Sequence, residues 1–401
     1  MSWEKMKLES CCISISDGDH QPPPKADRGV PFVTISNINS LNQFDFSDTM
    51  FVPQEYYDNL DTKRKAQIGD VLYSVVGSFG IPVYIKNDMP FVFQRHIAIL
   101  RHNDKILPRF LYYTMLSRDF YAKADAAAVG AAQRTVSLTA LRNIEIEVPN
   151  IGTQNRIASI LSAYDDLIEN NQKQIKLLEE AAHRLYKEWF VDLRFPGYEN
   201  VEVVDGVPEG WRKKKISDFG EIITGKTPST TKEQYYGGSI PFVKIPDMHN
   251  CVYPIKTEVT LTTEGANTQK NKFIPKDSIM VSCIATVGLV NIAIESCQTN
   301  QQINSIVLND QQDIYYVYSS MKRLKALLEG VGSNGATMTN VNKSKFGNLE
   351  ILYPSEELCK DYYDYCDPIF KKIYNLSVGI NKISQVRDRL LPKLMSGELE
   401  V

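Results

Sequence analysis

No run of about 18 apolar residues occurs in the 401-residue chain, so no membrane-spanning helix is expected. The opening MSWEKMKLES is charged and has no apolar core, and no secretory signal is expected from it. The seven cysteines include the adjacent pair Cys11-Cys12 but no CxxC. That usage suits reduced thiols in a cytoplasm better than a disulfide framework or a zinc site. Histidine is scarce, with five residues, none at metal-ligand spacing; His96 and His183 read as surface or packing residues. HExxH, GxSxG and Asn-Pro-Pro-Tyr are all missing, which removes the usual zinc-protease, hydrolase and adenine-methylating signatures. A surplus of positive charge is missing too. The net charge is −3 and the pI about 6.0, so any basic surface must be local or supplied by a partner.

What is present is periodicity. From Asn155 to Phe190, residues Ile157, Leu161, Tyr164, Ile168, Asn171, Ile175, Leu178, Ala182, Leu185 and Trp189 recur in alternating steps of four and three. This heptad seam predicts one long helix, roughly 54 Å at 1.5 Å per residue, built to pack against another helix. Thr153 is the expected N-cap, and Pro196-Gly197 the stop. Asn171, polar in an apolar row, reads either as a register-setting residue or as one tolerated at a solvated turn. The neighbouring Asp165-Asp166 reads as a solvated face.

The chain is also written twice. A shift of 205 positions lays Pro149 on Pro354, Ile168 on Ile373, Asn171 on Leu376, Ile175 on Ile380, Leu178 on Ile383, Leu185 on Leu390 and Trp189 on Leu394. Ala182 falls on Arg387, so the two seams differ. Pro368 and Gly379 lie inside the second copy, where a kink or late start near Asp367-Pro368 is expected, with Pro392 as the end. Upstream, Trp3 matches Trp211, Val30–Val33 matches Ile240–Val243, and Gly69–Leu72 matches Lys276–Ile279, at slightly different shifts that place insertions in loops.

The expected organisation is a globular unit (1–150), a helix (151–195), a second globular unit (196–355, with 196–211 as a linker) and a second helix (356–401). Each globular unit reads as α+β. The expected strands are Val30–Ile35, Asp70–Val76, Pro82–Ile85 and Ile97–Arg101 in the first unit, and Ile240–Ile245, Ser278–Cys283, Gly288–Ile294 and Ile303–Leu308 in the second. A helix follows in each, Arg109–Ala127 and Ile314–Glu329.

Two motifs invite an enzymatic reading. Gly220–Thr227 fits the phosphate-cradling pattern GxxxxGK[ST]. The preceding Arg212–Ser217 is basic rather than a buried strand, and Pro228-Ser229-Thr230-Thr231 opens a helix poorly. Gly330–Gly335 fits GxGxxG, but follows a helix instead of a strand. A nucleotide-binding enzyme using Gly220–Thr227, and a coiled-coil scaffold with no DNA role, stand as the alternative readings.

Several segments together resemble the specificity subunit of type I restriction–modification systems. They are Lys187–Asp192, Arg194–Gly197, Val207–Trp211, Thr224–Ser229, Tyr235–Gly238 and Leu391–Glu398, and the likeness runs over essentially the whole chain. The resemblance implies two duplicated target recognition domains separated by two long antiparallel helices forming an intramolecular coiled coil. Each domain would read one half of a bipartite site on double-stranded DNA. The helices would set the half-site spacing and dock two methylation subunits, which methylate adenine with S-adenosylmethionine. Restriction subunits would bring ATP, Mg²⁺ and cleavage. No cofactor and no catalysis would belong to this chain.

Base and phosphate contacts need Arg, Lys, amide or hydroxyl side chains on loops. In the first unit the candidates are Lys25 and Arg28 for phosphates; Asn37, Asn39, Ser78, Gln94, Arg95 and His96 for bases; and Gln133 and Arg134 for either. In the second they are Lys226, Thr227 and Lys244 for the backbone, and Asp247, Thr286, Gln301, Gln302, Asn334 and Asn340 for bases. Tyr56-Tyr57 and Tyr235-Tyr236 read as core or turn packing.

Overall fold

A computed structural model describes residues 3–39, 41–131, 133–324 and 340–401. The chain divides into two compact units, Met1–Leu167 with Ser384–Val401, and Ile168–Ile383, so the division cuts both long helices.

In the first unit the strands are β1 (Glu4–Lys7), β2 (Cys12–Asp17), β3 (Val30–Val33), β4 (Met50–Val52), β5 (Val71–Ser74), β6 (Pro82–Tyr84), β7 (Val92–Phe93), β8 (Ile97–His102) and β9 (Glu145–Val148). They make an antiparallel sheet of order β2-β8-β5-β6, a three-stranded sheet β4-β3-β7 in which β3 and β7 run parallel, and the pair β1-β9. All four residues of β5 are buried. Val71 and Tyr73 face one apolar cluster with Phe110, Leu111 and Ile157, while Leu72 joins another with Val33, Phe91 and Phe93. Burial on both faces explains why Val71–Ser74 reads as a continuous run instead of an alternating strand.

The second unit repeats the plan. After the hairpin β10 (Val203–Val204) and β11 (Val207–Pro208) come β12 (Arg212–Lys215), β13 (Gly220–Thr224), β14 (Tyr236–Val243), β15 (Val259–Leu261), β16 (Ile279–Ser282), β17 (Val290–Ile292), β18 (Gln298–Thr299), β19 (Ile303–Leu308) and β20 (Glu350–Tyr353). Their orders, β13-β19-β16-β17, β15-β14-β18 and β12-β20, match the first unit strand for strand.

Several details depart from expectation. Arg109–Ala127 is two helices, Pro108–Leu116 and Arg118–Ala127. Ser117 divides them, donating to Thr114 O at 2.7 Å and accepting from the Phe120 amide at 3.2 Å. In the second unit the matching helix is Ile314–Lys322, capped by Arg323; residues 325–329 of the expected span lie outside the described residues. The linker is ordered. Asp205 and Gly206, at φ 53° and 78°, close the β10-β11 hairpin through the two-residue turn that Asp-Gly favours, and Phe195 packs on Trp211 at 5.2 Å between ring centroids.

Both long helices have 40 residues, Ile151–Phe190 and Glu356–Met395. The first begins before the expected start, so Thr153 lies inside the first turn and Asn150 does the capping. The Asn150 Oδ1 accepts from the Thr153 amide at 3.0 Å. The second runs through both Pro368 and Pro392, against the expected late start and end. Cys366, Phe370, Ile373, Leu391 and Leu394 around these prolines are all buried, and this packing outweighs the lost backbone bonds.

The helices run antiparallel. In the first unit Ile157 and Leu161 share a core with Leu391 and Leu394; in the second Trp189 lies 5.9 Å from Tyr362. Of the seam residues, Ile157, Leu161, Ile168, Asn171, Trp189, Ile373 and Leu376 are buried. Tyr164, Ile175, Leu178, Leu185, Ile380, Ile383 and Leu390 are half-buried. Next to Leu185 and Leu390, Tyr186 and Leu391 lie deeper, as the drift between 3.6 and 3.5 residues per turn requires. Of the Asp165-Asp166 pair, expected on a solvated face, Asp166 is exposed but Asp165 is largely sheltered. Asp165 accepts from Arg387 at 2.8 Å and from the Tyr113 hydroxyl at 2.6 Å, and Asp166 lies 3.3 Å from Arg109 and 3.6 Å from Lys86.

Candidate nucleic-acid interface

Each unit has a turn leading into the second strand of its four-stranded sheet, with one exposed residue at its middle, Arg95 or Gln301. In the first unit this is Gln94-Arg95-His96, entering β8. The Ile97 amide donates back to Gln94 O at 3.0 Å, closing the turn. Just past β2, Gly18 donates to Ile97 O at 3.2 Å and Asp19 to Phe93 O at 2.8 Å, and Arg95 donates to Asp19 O at 2.9 Å. A Cβ on Gly18 would lie 2.1 Å from Phe93 O, so only glycine permits this approach.

In the second unit Asn300-Gln301-Gln302 enters β19. Ile303 donates to Asn300 O at 3.2 Å, Gly225 to Ile303 O at 3.1 Å and Lys226 to Thr299 O at 2.9 Å. A Cβ on Gly225 would meet Asn300 O at 2.2 Å. Three of these backbone bonds recur in both turns; the bond from Arg95 to Asp19 O occurs in the first turn alone among the described residues. Asp19 and Lys226 occupy equivalent places, as do Arg95 and Gln301.

The side chains differ between the turns. Arg95 is exposed and makes no side-chain hydrogen bond or ion pair with another described residue. Burial, then the neighbouring charge of Arg95, lowers the pKa of His96. Asp19 accepts a hydrogen bond from the Tyr56 hydroxyl and lies 3.9 Å from Arg64. Burial and that bond push the Tyr56 hydroxyl up to about 12.

In the second unit the Thr227 hydroxyl donates to Gln301 Oε1 at 2.7 Å, and Asn300 Nδ2 to Gln302 Oε1 at 2.9 Å. Behind them Gln269 Nε2 donates to Gln298 Oε1 at 2.8 Å and to Lys226 O at 2.5 Å, while Gln298 Nε2 donates to Ala266 O at 3.0 Å. Gln298 is fully buried, so a buried polar layer lies behind the turn, although Gln269 Oε1 and Thr299 Oγ1 within it have no hydrogen-bond partner among the described residues.

A second exposed group in the first unit surrounds Ser78. Gly77 donates to Arg134 O at 3.0 Å, Phe79 stacks on Tyr121 at 5.6 Å, and the Arg134 guanidinium lies 5.9 Å from the Phe79 ring. Arg134 is paired with Asp125 at 2.6 Å, and Gln133 is exposed beside it. In the second unit the corresponding Thr286 and Asn340 are exposed, with Ile284 bridged to Asn340, whereas Asn334 lies outside the described residues. Phe79, Tyr121, Gln269 and Gln298 were not among the sequence candidates; only folding brings them to these loops.

The remaining candidates are placed differently. Lys25 and Arg28 are exposed. The Asn37 Oδ1 accepts from the Thr34 amide at 2.9 Å, and the Asp247 carboxylate accepts from the Lys244 and Glu258 amides, each at 2.8 Å. Both side chains therefore close matching short helical turns. Asn39 Oδ1 is held by the amides of Leu41 and Gln43, and Lys244 Nζ by Glu258 at 3.1 Å.

The phosphate-loop reading of Gly220–Thr227 meets a sheet. Gly220–Thr224 is strand β13, registered against β19, so its amides serve a ladder and cannot cradle phosphate. Arg212–Lys215 is a strand after all, though a mostly exposed one paired with β20. Gly330–Gly335 lies outside the described residues. Among the described residues no helix is long and apolar enough to cross a membrane, and no group of three His, Cys, Asp or Glu side chains could hold a metal ion. All seven cysteines are unpaired.

Comparison with known proteins gives a consistent picture. The family model described as "Type I restriction modification DNA specificity domain" matches residues 2–180 and 208–382. The specificity subunit of type I restriction enzyme HindI from Haemophilus influenzae is 32% identical, over 93% of this chain and 96% of that one. The specificity subunit of MjaIX from Methanocaldococcus jannaschii is 26% identical over 83% and 78%. A crystal structure of a type I restriction–modification S subunit from M. genitalium has the same fold, with a TM-score of 0.61 at 15% identity, covering 98% of this chain and 96% of that chain.

Proposed function

This chain belongs to the type I restriction–modification DNA specificity family, and from that premise we propose that its two units each read one half of a split site on double-stranded DNA. The observation that carries this reading is the repeated turn. One backbone frame presents Gln94-Arg95-His96 in the first unit and Asn300-Gln301-Gln302 in the second, as expected for a duplicated reader serving two different half-sites.

The paired helices set the spacing between the half-sites. A 40-residue helix has a length of about 60 Å, comparable to about 18 base pairs. They also dock two methylation subunits, which carry S-adenosylmethionine and methylate adenine. Restriction subunits add ATP- and Mg²⁺-dependent translocation and cleavage. The complex works in the cytoplasm, and this chain contributes recognition without chemistry. With a net charge of −3, it leaves most of the phosphate-neutralising charge to the methylation subunits.

Sequencing the methylated adenines of cells with and without this gene tests the proposal. The expected result is loss of one bipartite motif on deletion. An unchanged methylome in cells with active methylation subunits overturns it, as does an uninterrupted motif.

A further inference from the structure

We infer that the shared turn is the base-reading element of each unit, with Arg95 reading a guanine in one half-site and Gln301, oriented by Thr227, reading an adenine in the other. This rests on the proposed DNA-reading function and goes one step further, to the base.

Three observations carry it. First, the two turns are the same object. The bonds from Ile97 to Gln94 O, Gly18 to Ile97 O and Asp19 to Phe93 O are matched by those from Ile303 to Asn300 O, Gly225 to Ile303 O and Lys226 to Thr299 O. Arg95 and Gln301 therefore stand at one position of a shared frame, though among the described residues only the Arg95 amide is also bonded to the neighbouring strand end, at Asp19 O.

Second, both side chains are exposed and suited to the edge of a base. The Arg95 guanidinium, with no described partner, offers the parallel donors that match guanine O6 and N7. Gln301 Oε1 already accepts from Thr227 at 2.7 Å, which holds the amide in one orientation. That oxygen keeps a second lone pair, and Nε2 keeps both protons. This is the acceptor–donor pair that matches adenine N6 and N7.

Third, both mountings are close-packed. The glycine approaches at Gly18 and Gly225 hold each turn against its sheet, and in the second unit Gln269 Nε2 also bonds Gln298 Oε1 and Lys226 O behind it, so little order remains to be gained on binding. Lys226, beside the Gln301 turn and without an ion pair among the described residues, suits a neighbouring phosphate; the equivalent Asp19 is engaged by Tyr56 and Arg64. Lys226 thus adds affinity and Gln301 selectivity.

The test uses the full chain co-expressed with its methylation subunits and reads the methylated motif by sequencing. The unaltered chain should give a split motif with a guanine in one half and an adenine in the other. Arg95→Gln should change or relax one guanine in one half only, and Gln301→Arg one adenine in the other half only. Thr227→Val, which keeps the shape but removes the hydroxyl, should relax the same position as Gln301→Arg. Discrimination at each affected position should fall at least about tenfold.

If the unaltered chain gives no split motif, the functional proposal itself fails. If it does, and Arg95→Gln and Gln301→Arg leave every position unchanged, this inference alone is overturned. A variant that abolishes all methylation is replaced by the smaller changes Arg95→Lys and Gln301→Asn. Unchanged base preference in those, or loss spread evenly over both halves, also overturns it.

Discussion

Arg387, on the C-terminal helix, donates from Nη1 to Asp165 Oδ1 on the central helix at 2.8 Å, at a point where an apolar pair would continue the seam. The two side chains are only 22% and 19% exposed, and Tyr113 donates to the same carboxylate at 2.6 Å. A pair this sheltered penalises the loss of one partner more than the loss of both. Arg387→Leu should therefore lower the stability of the first unit by about 1–3 kcal/mol, and adding Asp165→Leu should restore part of it. Urea unfolding of the two single variants and the double variant checks this.

Gly379 sits at the interior of the C-terminal helix, where a Cβ would lie 3.8 Å from Asn171 Nδ2, an ordinary contact. Asn171 is only 9% exposed. Gly379→Ala should fit and stabilise the protein by about 0.5–1 kcal/mol, because alanine is the better helix former. A denaturation midpoint that falls would mean the seam needs the missing side chain.

Gly220 is needed for a close strand approach, not for phosphate binding. A Cβ there would lie 2.0 Å from Val307 O, a backbone atom that cannot swing aside. Gly220→Ala should cost about 1–3 kcal/mol. Titration of the unaltered protein with ATP and Mg²⁺ should show no binding that Lys226→Ala removes.

Stability should depend on pH through Glu179. Burial raises the pKa of its carboxyl, with Lys322 opposing. The folded state therefore keeps this proton to higher pH than the unfolded chain does. The stabilisation is complete below the ordinary carboxylate pKa of about 4.3 and is lost as pH rises through the raised folded value. Glu179→Gln should raise the unfolding midpoint at pH 7.5 and leave it nearly unchanged at pH 4. Midpoints measured across that range decide the sign.

The large organisation was legible because it is written in spacing. The heptad rows at Ile157–Trp189 and Ile373–Leu394, and the 205-position shift between them, follow from burial of one helix stripe. The structure places both 40-residue helices at that same shift. Pro368 and Pro392 predict interruption from the chain alone, but buried neighbours on both sides hold the helix through them.

The candidate site was legible only as a list of polar loop residues. Asn37, Arg95, Asp247 and Gln301 look alike in a sequence. Folding engages Asn37 and Asp247 with backbone amides and leaves Arg95 and Gln301 exposed. Which polar side chain is engaged and which is available depends on hydrogen bonds between segments far apart in the chain, such as Gly18 with Ile97 and Gly225 with Ile303. Periodicity and duplication are local or translational patterns, so the amino-acid order alone carried the two α+β units, the two helices and the family. The common turn, its glycine approaches and the exchange of Arg95 for Gln301 upon it exist only once the strands are paired, and only the tertiary structure decided them.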